Sequence, residues 1–238
     1  IDINNNSQNP VINDRSFGED KYKVALFGVN YMKGMQDVGV MACAKHFPGH
    51  GDVAVDSHYD LPIINKTLQQ LDTLELYPFK RLIAEGVGSV MIAHLYIPAI
   101  DSTANLATSL SYKNVTQLLR KQLGYNGISF TDALEMQGVK KFFPNGEASL
   151  KSLQAGNDML CLPGSIDSSI QRIVRAVTNG ELPEQQLNEK VYKVLIAKYH
   201  LGLATKPAPI NTNNIVQDIN ASTLGLREQI SKAAITVV

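Results

Sequence analysis

The stretch from residue 45 to residue 58 holds more chemically reactive side chains than any other part of the chain. Its sequence, KHFPGHGDVAVDSH, places three histidines, two aspartates and a lysine within fourteen residues. The proline and glycines of its first half predict that regular structure ends just after Phe47. The short apolar run before it, residues 40–44, is typical of a buried strand. A strand that ends in a loop of titratable groups is typical of the catalytic face of an α/β barrel.

A second candidate for chemistry is Asp132, which follows the short apolar run 128–131. A lone aspartate in such a place can simply cap the next helix. The carboxyl end of a barrel strand, however, lies on the catalytic face, and this position favours a catalytic carboxylate. If the two strands are parallel, Asp132 opens onto the same face as His58 and its neighbour Asp56. A carboxylate beside a histidine–aspartate pair is sufficient for covalent catalysis with general acid/base assistance.

Around these segments, short apolar runs alternate with helical periods. The runs predict buried strands at residues 40–44, 89–93, 128–131 and 159–162. Helical stripes are predicted around residues 115–123, 170–177 and 187–195, with stops at Gly124, Gly180 and near Gly202, and with Asp167 or Ser168 as the cap of the second helix. Strands that alternate with helices imply a parallel sheet.

Composition bounds the class of protein and its partners. The chain has 238 residues, of which 44% are hydrophobic and 18% charged, as in a globular domain with a sizeable core. Its net charge is zero, which argues against a nucleic-acid partner. The longest apolar runs are too short to span a bilayer, so no membrane span is predicted. Cys43 and Cys161 lie in apolar runs and are predicted to be buried small hydrophobes rather than disulfide or metal ligands.

The chain is predicted to hold two units. Residues 1–204 carry the alternating strands and helices and form the predicted catalytic (β/α) barrel. Residues 205–214 include two prolines among polar residues and are typical of a linker. From residue 224 the pattern predicts a helix, followed by a strand in the apolar run 233–238. Residues 205–238 are therefore predicted to be a linker and the beginning of a C-terminal α/β domain.

Several longer motifs together carry a family resemblance. They are NPVINDRSFGED (9–20), KHFPGHGDVAVDSHYDLP (45–62), ELYPFKRLI (75–83), VMIAHL (90–95), LSYKNVTQLLRKQLGYNGISFTDALEM (110–136) and AGNDMLC (155–161). On these motifs the chain resembles the family 3 glycoside hydrolases, in particular the bacterial β-N-acetylglucosaminidases. KHFPGHG combined with DSH is the most specific feature, because related β-glucosidases of the family generally lack this histidine loop.

The resemblance implies a (β/α)8 TIM-type barrel and a retaining exo-β-N-acetylglucosaminidase. Asp132 matches the nucleophile, and His58 with its partner Asp56 matches the general acid/base. The residues that match sugar-holding positions are Arg15, Lys45 and His46. The implied substrate is a carbohydrate with terminal β-linked GlcNAc, from peptidoglycan fragments or chitooligosaccharides. No cofactor and no metal are implied, and the compartment is left open between the bacterial cytoplasm and periplasm.

The chain also departs from the family pattern at its beginning. The first barrel strands of the family are missing, and the chain starts at Ile1 without a methionine. We therefore expect an N-terminally incomplete barrel and further segments in a longer parent chain. The alternative function is an inactive barrel fragment that binds carbohydrate or serves as a structural part of a larger protein. A phosphorylase or transferase using the same chemistry also stays open.

Some single residues keep two interpretations. Arg15 could pair with Glu19 or Asp20 across its turn if the resemblance is set aside. His94 follows a predicted strand and is either a satisfied structural histidine or a sugar contact. Among the loop residues, His50 is predicted to be structural and Asp52 to form a turn. A metal cluster in this loop is disfavoured, because the HxHxDH run of metallo-β-lactamase-type hydrolases is absent.

Overall fold

The sheet is built from four parallel strands. The computed structural model describes residues 1–53, 60–205 and 209–235. Its strands are β1 (Cys43–Phe47), β2 (Ser89–Ile92), β3 (Ile128–Ala133) and β4 (Met159–Cys161), paired in chain order. Every pairing is parallel and every connection contains helix, as in consecutive βα units of a barrel. The predicted α/β class is confirmed, and these strands form part of a TIM-type barrel.

Strand β1 lies three residues further along than its apolar run predicts. It contains the polar residues Lys45 and His46, which an apolar run does not include. Ala44 and His46 are buried, whereas Cys43 and Lys45 are exposed. The prediction of two buried cysteines is therefore wrong, since Cys43 is exposed and Cys161 is half-buried; both are free thiols.

Helices precede the first strand, connect the strands and follow the last one. They are α1 (Lys21–Gln36), α2 (Leu68–Thr73), α3 (Leu76–Ala84), a π-helix (Lys113–Gln122), α4 (Gln137–Lys140), α5 (Glu147–Ala155), α6 (Ile166–Thr178) and α7 (Glu184–His200). Short 3₁₀ turns cover Asn13–Arg15 and Thr108–Leu110. The cap of α6 is Ser165, whose hydroxyl accepts from the Ser168 amide, so the predicted cap at Asp167 or Ser168 is wrong.

The main core lies between the sheet and helices α1 and α3. Phe47 at the end of β1 meets Phe79 of α3 edge-on, with ring centroids 5.2 Å apart. Val90 and Ile92 of β2 are fully buried in the same cluster. This packing fixes the position of the end of β1 relative to α3, and therefore the point at which the loop after Phe47 begins.

The chain divides into two compact units, Ile1–Gly202 and Leu203–Val238. The second unit contains helix α8 (Ile215–Ala234), which begins nine residues before the predicted helix. Ala233 and Ala234 belong to this helix, so the strand predicted for 233–238 is wrong at its beginning; residues 236–238 lie outside the described residues. An apolar run of this length does not distinguish strand from helix. The assignment of 205–238 to a further α/β domain stays a prediction.

No helix in the described part of the chain has both the length and the apolar character needed to cross a membrane.

Candidate active site

The loop after β1 is anchored by a carboxylate from the start of the chain. Asp2 is 4% exposed and accepts hydrogen bonds from the backbone N–H groups of His46 (3.1 Å) and His50 (2.7 Å). Its second oxygen, Oδ2, lies 2.8 Å from Nδ1 of His46. Because an ionised carboxylate can only accept, Nδ1 of His46 carries a proton. Asp2 therefore fixes both the backbone of the loop and the orientation of the His46 ring.

Asp2 keeps its negative charge although it is buried. Burial by itself raises the pKa of a carboxyl group, because it disfavours the charged form. The charge and hydrogen bond of His46, with the amide of His50, outweigh burial and hold the pKa of Asp2 well below its usual range. The anchor is thus a carboxylate at any ordinary pH.

Asn9 and Gly51 hold the loop from its other side. The Asn9 side chain donates to the His50 carbonyl at 2.8 Å, and its oxygen accepts from the amides of Val11 and Ile12. A Cβ atom on Gly51 would lie 1.7 Å from the carbonyl oxygen of Ile3, so only glycine fits there. The motif NPVIND and the glycine of PGHG thus shape the same loop.

Lys66 pairs with Asp52 at the far end of the described loop. Its ammonium lies 2.6 Å from the Asp52 carboxylate and also contacts Glu75. Burial lowers the pKa of Lys66, but the hydrogen bonds and charges of these two carboxylates outweigh it and raise that pKa overall. Asp52 is therefore a partner in a charged network in addition to its place in a turn.

Asp132 lies within the last residues of β3, at the same end of the sheet as the histidine loop. Its side chain is half-buried, and its Oδ1 accepts from the Ala133 amide at 2.8 Å. The next helix, α4, begins at Gln137 with Met136 at its cap, so the helix-cap alternative for Asp132 is wrong. Asp132 is close enough to His50 and His94 to favour their charged forms.

His50 and His94 are the two histidines on which the charge of Asp132 acts. Burial is the largest influence on both, and it lowers the pKa of His50 and that of His94. His94 is completely buried and both of its ring nitrogens have protein partners. Of its two interpretations, the structural one is confirmed by this geometry.

Arg15 and Lys45 line one open cavity of ≈ 600 Å³ beside β1. The Arg15 guanidinium donates twice to the Val11 carbonyl, at 2.9 and 2.6 Å, instead of pairing with Glu19 or Asp20. Lys45 is exposed, whereas its neighbour His46 is buried. The fold thus brings these two predicted sugar-holding residues together, while their roles stay predictions.

The predicted acid/base pair, Asp56 and His58, lies outside the described residues. Among the residues that the structure does describe, no group of three histidine, cysteine or acidic side chains could hold a metal ion. The predicted absence of a metal in the whole loop stays a prediction, because that search does not reach Asp56 or His58.

Sequence reasoning missed Asp2, Asn9 and Lys66 as parts of the site. Asp2 ends a very short apolar start of the chain, and its partners are 44 and 48 residues away. The signal that could have pointed to Asn9 is the NP dipeptide, which marks a turn. Neither signal says that the residue contacts the histidine loop.

Parallel βα units that carry carboxylates and histidines at the carboxyl end of the sheet are typical of the catalytic face of an enzyme barrel. The family model described as "Glycosyl hydrolase family 3 N terminal domain" matches residues 1–197. The chain therefore belongs to glycosyl hydrolase family 3, and it corresponds to the N-terminal domain of that family.

Individual relatives agree with this assignment. A "Beta-hexosaminidase A" of Pseudoalteromonas piscicida is 32% identical over all of this chain and 42% of its own length. A "Beta-hexosaminidase" of Glaesserella parasuis is 38% identical over 67% of this chain and 46% of its own. The solved family 3 beta-N-acetylglucosaminidase of a Paenibacillus species is 38% identical, with a TM-score of 0.85, over 89% of this chain and 40% of that one. The chain spans less than half the length of these relatives.

Proposed function

We propose that this chain is the catalytic barrel portion of a retaining exo-β-N-acetylglucosaminidase. The observation that carries the proposal is the half-buried carboxylate of Asp132, held by the Ala133 amide at the same end of the sheet as the histidine loop. A retaining glycosidase needs a carboxylate beneath the anomeric carbon and a proton donor near the leaving oxygen. The names of the relatives support the sugar, because they are hexosaminidases and a β-N-acetylglucosaminidase.

The proposed reaction has two displacements. In the first, an Asp132 oxygen bonds to the anomeric carbon while the glycosidic C–O bond breaks, and the imidazolium of His58 gives its proton to the leaving oxygen. In the second, neutral His58 takes a proton from water, whose oxygen attacks the anomeric carbon and releases Asp132. Asp56 would favour the imidazolium and fix its tautomer.

The sugar itself would be bound by Arg15, Lys45 and His46. Arg15 and Lys45 present cationic donors on the rim of one cavity, where they can bond the hydroxyl groups of a pyranose. His46 is oriented by Asp2 and does not need to reorganise on binding. The proposed substrates are terminal β-linked GlcNAc residues of peptidoglycan fragments or chitooligosaccharides.

A direct test is chromophore release from an aryl β-N-acetylglucosaminide, beside the matching aryl β-glucoside. We expect turnover of the first substrate only, and its loss in Asp132→Asn. Adding inorganic phosphate separates the hydrolase from a phosphorylase, because a phosphorylase would release sugar 1-phosphate in place of free sugar. No turnover of either glycoside would contradict the proposal and favour the inactive, carbohydrate-binding or structural role.

A further inference from the structure

His94 lies two residues after the end of β2 and bonds a residue at the end of β3. Its Nδ1 lies 2.7 Å from the hydroxyl of Ser109, and its Nε2 lies 3.0 Å from the carbonyl oxygen of Ala133. The side chain is 0% exposed, so it is not available to contact a substrate. Any influence of His94 on chemistry must therefore pass through the groups that it touches.

The hydrogen bonds fix the protonation of the ring. A backbone carbonyl can only accept, so Nε2 must carry a proton and donate to Ala133. Burial lowers the pKa of His94, which leaves the ring neutral, with a single N–H. Nδ1 is then the acceptor for the Ser109 hydroxyl. The groups that act electrostatically on the ring are Asp132, which favours the cation, and His50 and His46, which oppose it.

The ring is held on a rigid support. Thr108 accepts from the Leu95 amide and donates its hydroxyl proton to the Ala93 carbonyl at 2.7 Å, so the 3₁₀ turn is clamped to the segment around His94. The Ser109 carbonyl accepts from the buried side chain of Asn157 at 2.8 Å. His94 therefore links the end of β3 to a network of buried polar groups that has little freedom to move.

Ala133 connects His94 to Asp132. Its carbonyl accepts from His94 and from the Met136 amide, while its own N–H donates to Asp132 Oδ1 at 2.8 Å. Both polar groups of this one residue are therefore engaged, one towards the buried histidine and the other towards the carboxylate. A shift of Ala133 would displace the donor that sets the rotamer of Asp132.

We propose that His94 is a positioning residue, which holds the Asp132 carboxylate in its reactive orientation by bonding the Ala133 carbonyl. The inference rests on the proposed function, because it needs Asp132 to be the nucleophile. It assigns His94 no contact with the sugar. It predicts a loss in the chemical step that is separate from substrate binding, since a misplaced reacting group costs rate.

Two substitutions separate the two bonds of the ring. In His94→Gln, the amide nitrogen reaches about as far as Nε2 and can still donate to Ala133. In His94→Asn, the shorter amide reaches only about as far as Nδ1, so it can meet Ser109 but not Ala133. We expect kcat on an aryl β-N-acetylglucosaminide to fall roughly 10²-fold in His94→Asn, with KM nearly unchanged, and to be largely retained in His94→Gln.

A stability control separates positioning from general destabilisation. Leu119→Ala removes a fully buried side chain of the π-helix and should lower the melting temperature without a selective loss of kcat. Each kcat is normalised to the folded fraction of its variant. Equal kcat values for the asparagine and glutamine variants, whether high or low, would overturn the proposal.

Amide hydrogen exchange at Ala133 gives a readout that does not depend on turnover. We expect the Ala133 amide to exchange at least about tenfold faster in His94→Asn than in His94→Gln, because only the former removes the His94 bond that holds the Ala133 carbonyl. Unchanged exchange would overturn the inference even in an active enzyme. An inactive wild-type chain that still shows the exchange difference would contradict the proposed function instead and leave the link from His94 to Ala133 established.

Discussion

Two aspartates at opposite ends of neighbouring strands show how differently this barrel uses one residue type. Asp158 lies one residue before β4, with its side chain 5% exposed, and accepts from Arg120 at 2.6 Å, Lys193 at 3.0 Å and the Ser129 amide at 2.8 Å. Asp132 lies near the end of β3, where, among the described residues, its one recorded hydrogen bond comes from the Ala133 amide. The first carboxylate is committed to the fold, and the second keeps acceptor capacity for a ligand.

The surroundings of the two carboxylates explain the difference. Arg120 also donates to the carbonyls of Tyr125 and Gly127. Asp158 offsets the positive charge of Arg120 within a network of hydrogen bonds that joins the π-helix, β3 and α7. Burial, followed by the charge of Arg120, lowers the pKa of Lys193, and the charge of Asp158 opposes that shift. At the carboxyl end, Asp132 acts on His50 and His94, whose pKa values burial lowers, and no ion pair of Asp132 is seen within residues 1–53, 60–205 and 209–235. The comparison agrees with the division of barrels into a stability end and a catalytic end.

The largest effect should come from Asp132. Asp132→Asn removes the proposed nucleophile while it keeps the size of the side chain, so we expect turnover to fall on the order of 10⁴-fold. The melting temperature should change little, because few contacts depend on the charge. Steady-state hydrolysis and thermal unfolding measure the two properties. Asp167→Asn, at an exposed site in the first turn of α6, is the matched control; a variant of Asp132 that keeps substantial turnover would remove the contrast with Asp158.

The second effect concerns His58, the proposed proton donor. His58→Ala should slow hydrolysis of substrates with poor leaving groups roughly 10²- to 10⁴-fold, whereas activated aryl glycosides should lose much less, because their leaving groups need little protonation. The measurement is kcat/KM over a series of leaving groups. His200→Ala, at the end of α7, is the control with no role in the site. Equal losses across the series would argue that His58 is not the acid.

The third prediction is a loss of stability without a loss of turnover, the opposite of the result expected for Asp132→Asn. Asp158→Asn leaves Arg120 and Lys193 without their shared carboxylate, and we expect the free energy of unfolding to fall by about 3 kcal/mol. Turnover per folded molecule should stay close to that of the wild type. Urea unfolding gives the stability, and Asp72→Asn, which breaks the exposed pair with Lys80, should cost less than about 1 kcal/mol. A large loss of turnover per folded molecule would mean that the two ends of the sheet are coupled.

The sequence predicts some of this arrangement well, and the physical reasons can be given residue by residue. Strands β2, β3 and β4 lie within two residues of their apolar runs, and none of their side chains is exposed. β1 is displaced because Lys45 and His46 place polar groups inside a strand, a conflict typical of functional sites. The position of Asp132 at a strand end follows from the same apolar pattern.

Other parts of the site depend on contacts that no local pattern contains. Asp2 receives its hydrogen bonds from residues more than forty positions away, and the role of Asn9 depends on the same fold. The apolar run 233–238 predicts a strand wrongly at its beginning, because a short run has no period that separates strand from helix. These features depend on tertiary contacts, whereas the local sequence pattern is enough to predict that Asp132 lies at the end of a strand.

The smallest expected effect comes from Asp2, a third carboxylate that lies at the catalytic end but is fully bonded like Asp158. Asp2→Asn removes the charge that accepts from the His46 and His50 amides, and we expect a loss of about 2 kcal/mol of unfolding free energy at pH 7. Turnover should also fall, because the loop that carries His46 is held less firmly. Asp2 would then affect both turnover, as Asp132 does, and stability, as Asp158 does.

The pH dependence of this loss follows from the sign of the pKa shift. The folded state holds the pKa of Asp2 below its unfolded value of about 3.9, so the unfolded chain binds the proton first as pH falls. The stability that Asp2 contributes is therefore complete above about pH 5 and is lost progressively below it. Urea unfolding of wild type and Asp2→Asn between pH 7 and pH 3 should show their difference shrinking towards acid. The charge of Asp2 opposes the lowering of the His50 pKa, so His50 contributes to this difference, whereas the acid effect of His94 occurs in both proteins. A gap that stays constant with pH would mean that the charge of Asp2 does not hold the loop.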